Sequence, residues 1–133
     1  RSVGGWDNAG LAMVLAVLEA RCGIPFAGMD VYLNVARGLK INEPAAELAV
    51  AAALLSAREY VSLPAESVVF GEISLSGALR PVAQSENRLK EAQKLGFSKA
   101  IIPTAEQRLS KEYLELTQFT DLSSFVGDIF GAG

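Results

Sequence analysis

The sequence contains no histidine and only one cysteine, Cys22. Without histidine the chain cannot build a Ser-His-Asp or Cys-His catalytic arrangement, and it cannot bind a metal through imidazole. One cysteine cannot form an internal disulfide, which is typical of a reducing compartment and predicts a cytoplasmic location. The clustered soft ligands of zinc sites and the spaced Asp and Asn loops of calcium sites do not occur either. We therefore expect no metal site and interpret Cys22 as a thiol in or near the core.

An excess of positive charge and a membrane-length apolar run are also lacking. Twelve basic and fifteen acidic side chains give a net charge of −3, so no overall positive charge draws the chain to nucleic acid or to an anionic membrane. The apolar run at 11–18 is much shorter than a membrane span, so we expect a buried helix there and no membrane contact. No glycine-rich loop ends in Lys-Ser or Lys-Thr, and VGGWDNAG departs from the dinucleotide fingerprint, so no cofactor is expected in this chain.

The size and composition of the chain fit one folded unit. Half of the 133 residues are hydrophobic, which is enough for one core of ordinary size and predicts a single domain over 1–133. The first residue is Arg1 and not an initiator Met. We therefore expect the chain to be a fragment of a longer protein.

Helices and strands are predicted to alternate along the chain. Apolar residues recur at helical spacing over 8–21, and the helix should end near Gly23. Residues 45–58 are apolar on nearly all sides, which predicts a central helix with Pro44 in its first turn. Strands are predicted at 30–36, 67–74, 78–82, 99–103 and 113–119.

The second half of the sequence carries two further helix signals. In SENRLKEAQKLGF, Ser85 is predicted to cap a helix that buries Leu89 and Ala92 and ends at Gly96. Residues 121–130 predict a closing helix. The fold class expected from this order is α+β, with interleaved helices and a small mixed sheet.

The stretch INEPAAELAVAAALLSA, residues 41–57, has the frame of an active site without a reactive group. A turn leads directly into an alanine-rich helix, whose first backbone N–H groups could hold an oxyanion. The first helical side chains are Ala45 and Ala46, neither of which can react. Two interpretations remain open: a former ligand pocket, or small residues that simply allow close helix packing.

Two segments resemble the proteolytic domain of Lon proteases, which uses a serine nucleophile and a lysine base. FGEISLSGALRPVAQSENRLKEAQKLGFSKAIIP (70–103) matches it without a gap, and DVYLNVARGLKINEPAAELAVAAALLSA (30–57) resembles the strand, turn and helix that carry the serine. The resemblance implies a Lon proteolytic-domain-like (ribosomal protein S5 domain 2-like) fold. It places the nucleophile position at Ala45 and the lysine position at Glu86, so both catalytic groups are replaced. Glu43 and Glu47 stand where Lon has glycine.

These replacements make the whole pattern similar to the C-terminal Lon-like domain of the RadA (Sms) family of bacterial DNA repair proteins. That resemblance implies a catalytically inactive domain in a protein that assembles as a hexameric ring and drives branch migration in recombination. It also implies a DNA-dependent ATPase, with ATP, Mg and Zn bound only by parts of the parent outside this chain. The partners it implies are other copies of the chain and, as a further candidate, DNA.

Basic residues are concentrated in one part of the sequence. Residues 80–111 contain seven basic and three acidic side chains, whereas 112–133 contain four acidic and no basic ones. The basic segment could contact phosphates if its side chains share a face, or it could be an ordinary solvated surface. With the family resemblance, the DNA-contact candidates are Lys40, Arg80 and Arg88.

An alternative function is an active peptidase of the Lon class that uses displaced residues, Ser85 with Lys90. A serine activated by a neutral lysine needs no histidine. However, Ser85 is already explained as a helix cap, and a separation of five residues places Lys90 on a different helix face.

Overall fold

Four helices and seven short strands alternate in the part of the chain that the computed structural model describes, which comprises residues 2–4, 8–25, 32–34, 44–105, 109 and 112–131. The helices are α1 (Asn8–Cys22), α2 (Glu47–Glu59), α3 (Ser85–Lys94) and α4 (Leu122–Phe130), and a 3-10 turn, Pro44–Ala46, leads into α2. The strands are β1 (Ser2–Gly4), β2 (Tyr32–Asn34), β3 (Ser67–Val69), β4 (Glu72–Ile73), β5 (Leu79–Arg80), β6 (Lys99–Pro103) and β7 (Glu115–Phe119).

A parallel sheet of β3, β6 and β7 separates two layers of helices, with β6 in the middle. Ile101 of β6 belongs to the larger hydrophobic cluster, to which α1, α2 and α4 contribute most of the residues. Its neighbours Ala100 and Ile102 belong to a smaller cluster with Leu89 of α3. Since alternate residues of a strand point to opposite faces, both faces of β6 are covered. This explains why KAIIP is apolar without alternation, as is usual for a central parallel strand.

The predicted strand 67–74 is wrong as a single strand. It is split at Phe70 and Gly71 into β3, which pairs with β6, and β4, which forms an antiparallel hairpin with β5. The backbone at the break bonds elsewhere: the Gly71 N–H donates to the Ala45 carbonyl at 2.8 Å, and the Leu48 N–H donates to the Gly71 carbonyl at 3.0 Å. Over the described residues, parallel and antiparallel pairs lie in separate sheets, so the single mixed sheet that we expected is not formed.

Gly71 is required at this break because the chain is crowded there. A Cβ atom on Gly71 would lie 2.7 Å from Cγ and 2.9 Å from Cδ of Pro103, and the residue has φ +157°. Glycine alone fits both the space and the backbone conformation. The close approach packs the start of α2 against the carboxyl end of β6.

The helix predictions agree with the structure apart from one cap. Helix α1 ends at Cys22, just before Gly23, and α3 buries Leu89 and Ala92 as predicted. The prediction that Ser85 caps α3 is wrong, because the helix already includes Ser85 and its hydroxyl donates to the Val82 carbonyl at 2.8 Å. The capping position is occupied by Gln84, at φ 58° and without a side-chain cap.

Helix α4 closes the larger core. Asp121 precedes it and accepts a hydrogen bond from the Ser124 N–H at 2.8 Å, so the first turn has a side-chain cap. In the described part of the chain, no helix is both long and apolar enough to cross a membrane.

Candidate functional site

Ala45 lies in the 3-10 turn before α2 and is a buried core residue. Its side chain is a methyl group, and the residue is only 4% exposed. Its carbonyl accepts the Gly71 N–H at 2.8 Å, which joins the helix start to the break between β3 and β4. Position 45, which the resemblance assigns to the Lon nucleophile, therefore has no side-chain oxygen and no accessible side chain, and the small residue serves packing.

Glu47 ties the start of α2 to the β4–β5 hairpin. Its Oε1 accepts a hydrogen bond from the Ile73 N–H at 3.0 Å. Burial raises the pKa of the Glu47 carboxyl, the hydrogen bond from Ile73 partly lowers it, and the nearby Glu72 carboxylate raises it further. The carboxylate lies in the first turn of α2, where a negative charge suits the helix dipole. Glu47 therefore acts as a structural link between helix and hairpin.

A cleft of about 770 Å³ opens where β5 ends, α3 begins and β6 ends. It is mainly apolar, with Glu86 and a few neutral polar groups in its wall. The lining residues are Pro81, Val82, Ala83, Gln84, Ser85, Glu86, Thr104, Ala105 and Leu109. Glu86, which the resemblance assigns to the position of the Lon lysine, lines this cleft, and Ala45 does not. The two positions that would have to cooperate in a Ser-Lys peptidase do not share this cleft.

The alternative pair, Ser85 and Lys90, is not arranged as a catalytic dyad. The Ser85 hydroxyl is bonded to the Val82 carbonyl, and Lys90 is exposed on α3. Five helical residues correspond to a rotation of about 140° around the helix axis, which directs the two side chains to different sides. No observation on these two residues favours peptide cleavage.

The DNA-contact candidates differ in their surroundings. Arg80 is exposed on β5, directly opposite Glu72 of β4. Arg88 is half-buried: its Nε donates to the Ala83 carbonyl at 3.0 Å, and its guanidinium carbon lies 6.0 Å from the centre of the Phe70 ring. Part of the role of Arg88 is thus to hold the turn before α3. Lys40 lies outside the described residues.

The described basic residues of the segment 80–111 do not gather at one point of the surface. Arg80 precedes Pro81 at the cleft, whereas Lys99 begins β6, whose opposite end borders the cleft. A strand of five residues is about 16 Å long, so Lys99 lies at the end of β6 that is farther from the cleft. Lys94, at the far end of α3, lies 3.5 Å from the Glu91 carboxylate.

Cys22 is confirmed as a core thiol. It is buried at the end of α1 within the larger hydrophobic cluster and forms no disulfide. Burial raises its pKa, with a smaller rise from Asp121 and an opposing hydrogen bond with Ser123. Across the described ranges, no three His, Cys, Asp or Glu side chains are grouped as metal ligands.

Neither the link made by Glu47 nor the cleft beside Glu86 was predicted from the sequence. A signal for the first was present, since Glu47 is the only charge near the start of an otherwise apolar helix. The cleft had no such signal, because its walls come from two segments, 81–86 and 104–109, that are separated in sequence.

Two comparisons connect this fold to known proteins. A family model described as "Subunit ChlI of Mg-chelatase" matches residues 12–106, and the chain belongs to that family. Among individual proteins, the chain is 51% identical to DNA repair protein RadA of Brucella abortus (strain 2308), over 100% of the chain and 29% of the relative.

Relatives from other bacteria bear the same name. DNA repair protein RadA of Rickettsia typhi (strain ATCC VR-144 / Wilmington) is 48% identical over 95% of the chain and 28% of the relative. That of Synechocystis sp. (strain ATCC 27184 / PCC 6803 / Kazusa) is 43% identical over 99% of the chain and 25% of the relative. The chain thus spans less than a third of the length of these relatives.

Proposed function

We propose that the chain is a catalytically inactive Lon-like domain of a RadA-type DNA repair and recombination ATPase. Its role is to assemble the protein into a hexameric ring and to contact DNA during branch migration. The observation that carries this proposal is the combination of 51% identity to a protein named DNA repair protein RadA, over the whole chain, with a buried alanine at the nucleophile position.

The family description and the relatives' names point to different whole proteins. The family model is named for a subunit of Mg-chelatase and covers residues 12–106. The RadA relatives from Brucella abortus and Rickettsia typhi match 95–100% of the chain at 48–51% identity. The proposal follows the RadA relatives because their similarity extends through β7 and α4.

The lack of peptidase activity follows from the chemistry at three positions. Ala45 has no oxygen to attack a carbonyl, and Glu86 is a carboxylate that cannot replace a neutral amine as base. Glu47 adds a further negative charge close to the frame, where an oxyanion would have to be stabilised. What remains of the frame is the hydrogen bonding between the 3-10 turn, Gly71 and Ile73, which is structural.

Without a catalytic group, the turn and helix start at 44–47 would serve the assembly of neighbouring copies. Ring assembly needs a surface that contacts a second copy through two different patches. In the parent protein, ATP hydrolysis with Mg and binding of Zn would belong to other segments, and this chain would supply contacts between neighbours. DNA contact would come from basic side chains near the cleft.

A peptidase assay tests the inactive state. We expect the chain to cleave neither casein nor a fluorogenic peptide, and to resist labelling by a fluorophosphonate. The double variant Ala45→Ser with Glu86→Lys should remain inactive, because position 45 is buried and does not line the cleft with position 86. Stoichiometric labelling of Ser85 in the folded wild type, lost in Lys90→Ala, would refute the inactive domain and favour the peptidase.

Light scattering across a concentration series tests the proposed assembly of the chain into a hexamer. We expect the average mass to rise with concentration towards six copies. A chain that stays strictly monomeric at high micromolar concentration would contradict a role in ring assembly.

A further inference from the structure

The tip of the β4–β5 hairpin exposes a leucine on a firmly held turn. Leu75 is 73% exposed. The turn around it is closed by a bond from the Gly77 N–H to the Ser74 carbonyl at 2.9 Å, and the Ser74 and Ser76 hydroxyls are hydrogen-bonded at 2.8 Å. An apolar side chain on a rigid turn loses little freedom on binding, which favours affinity.

Two helices anchor this hairpin from outside. Arg21 of α1 donates from Nε to the Leu75 carbonyl at 3.3 Å, and the Leu122 N–H of α4 donates to the Gly77 carbonyl at 2.8 Å. A Cβ atom on Gly77 would lie 3.2 Å from Cβ and Cγ of Arg21, so the tip and Arg21 are closely packed. Leu75 is therefore accompanied by an exposed guanidinium.

The cleft between β5, α3 and β6 has complementary properties. Its walls are mostly apolar, with Val82, Ala105 and Leu109 among them, and Glu86 adds a carboxylate. Its volume of about 770 Å³ is ample for a leucine side chain and the turn that carries it. The hairpin tip thus carries an apolar side chain beside an arginine, and the cleft is an apolar depression beside a glutamate, so the two surfaces are complementary in polarity and charge.

We propose that Leu75 of one copy docks in the cleft of a second copy, with Arg21 next to Glu86. Within one molecule Leu75 does not line the cleft, whose lining begins after β5 at Pro81. Two unlike patches on one chain give a head-to-tail contact, the type that closes into rings. This inference rests on the proposed ring assembly and identifies the surfaces that would form it.

Two exposed leucines provide a matched pair of variants. Leu75 and Leu95 are 73% and 75% exposed, and Leu95 follows α3 and does not line the cleft. We expect Leu75→Ser to weaken self-association of the full chain at least about tenfold, as for a central interface residue. Leu95→Ser should leave association unchanged. Equal association in both variants would overturn the docking.

The carboxylates Glu86 and Glu91 give a second pair with the same change in net charge. Glu86 lines the cleft, whereas Glu91 is exposed further along α3, beside Lys94. Glu86→Arg should weaken association because it would place a cation against Arg21. Glu91→Arg should weaken it much less, and equal effects would argue against the pairing of Arg21 with Glu86.

Site-specific cross-linking tests the contact directly, since Cys22 is buried. A bismaleimide should join Ser76→Cys and Thr104→Cys chains, both of which keep Leu75, only in a mixture of the two, and a chain with both changes should form a ladder of oligomers. Cross-linking of either single variant to itself, or none in the mixture while the chain still self-associates, would overturn the docking and leave the scaffold intact. Failure of the proposed ring assembly would be seen separately, because light scattering would then find the unmodified chain to be monomeric.

Discussion

At the scale of single residues, Glu47 is a partly buried acidic side chain whose role is structural. Its carboxylate bonds to the Ile73 N–H, yet burial raises its pKa from the ordinary value of 4.5. A carboxyl with a raised pKa favours the folded state in its protonated form, and this contribution is lost as the pH rises through the folded pKa. The link between α2 and the hairpin is therefore maintained against the cost of partial desolvation.

The Glu47→Gln variant tests this balance. Its amide oxygen can still accept from Ile73 but cannot ionise, so the variant should gain stability relative to wild type as the pH rises above 4.5. Urea unfolding between pH 4 and 7 would measure the change. Glu47→Ala, which lacks the acceptor, should be less stable than Glu47→Gln at every pH. A constant difference between wild type and Glu47→Gln would refute the desolvation of Glu47.

At the scale of elements, α4 is held by the cap at its N-terminus and by the packing of its aromatic side chains. The Asp121 carboxylate accepts from the Ser124 N–H, and Phe125 of α4 is fully buried. The Phe125 ring lies edge-on to Phe119 and to Phe130, each with ring centres 5.7 Å apart. The cap fixes the helix start that directs Phe125 into the larger core.

Loss of the α4 cap should destabilise the fold. Asp121→Ala should lower the free energy of unfolding by about 1 kcal/mol, the usual effect of removing a helix cap. Asp121→Asn, which keeps an acceptor oxygen, should lose less. Asp128→Ala, on the exposed side of the same helix, is expected to change stability by no more than about 0.5 kcal/mol. Chemical unfolding of the three variants provides the comparison, and equal losses for Asp121→Ala and Asp128→Ala would contradict the role of the cap.

At the scale of the whole molecule, the distribution of charge limits how DNA could be bound. Arg80 directly precedes the cleft, and Lys99 lies at the end of β6 that is farther from the cleft. Contacts with phosphate would be few and independent of base sequence. If this chain contacts DNA, we therefore expect it to make only a small, local contribution to the affinity.

Charge reversal in the full-length protein tests that role. Lys40→Glu, Arg80→Glu and Arg88→Glu should each weaken binding to unrelated DNA sequences alike and flatten the salt dependence by about one unit per contact. Lys94→Glu, at the far end of α3, serves as the control. Arg88→Glu needs a check of folding by circular dichroism, since Arg88 also contacts Phe70 and Ala83. If affinity and salt slope are unchanged in all three variants, these three residues do not contact DNA.

The sequence by itself determined the helices and the chemistry that is excluded. The order of α1, α2, α3 and α4 follows from local periodicity, glycine stops and proline positions, which are encoded within each segment. The absence of a nucleophilic side chain at position 45 is equally local, since alanine carries only a methyl group. The central strand β6 could be identified because a run of apolar residues needs cover on both faces.

Only the tertiary structure decided how strands are shared among sheets and where the pocket lies. The break at Gly71 depends on Pro103 and Ala45, which are distant in sequence and meet only after folding. The same is true of the bond between Glu47 and Ile73 and of the cleft that Glu86 lines. Local patterns report which face of a segment is buried, but contacts between separated segments are fixed by the packing of the whole chain.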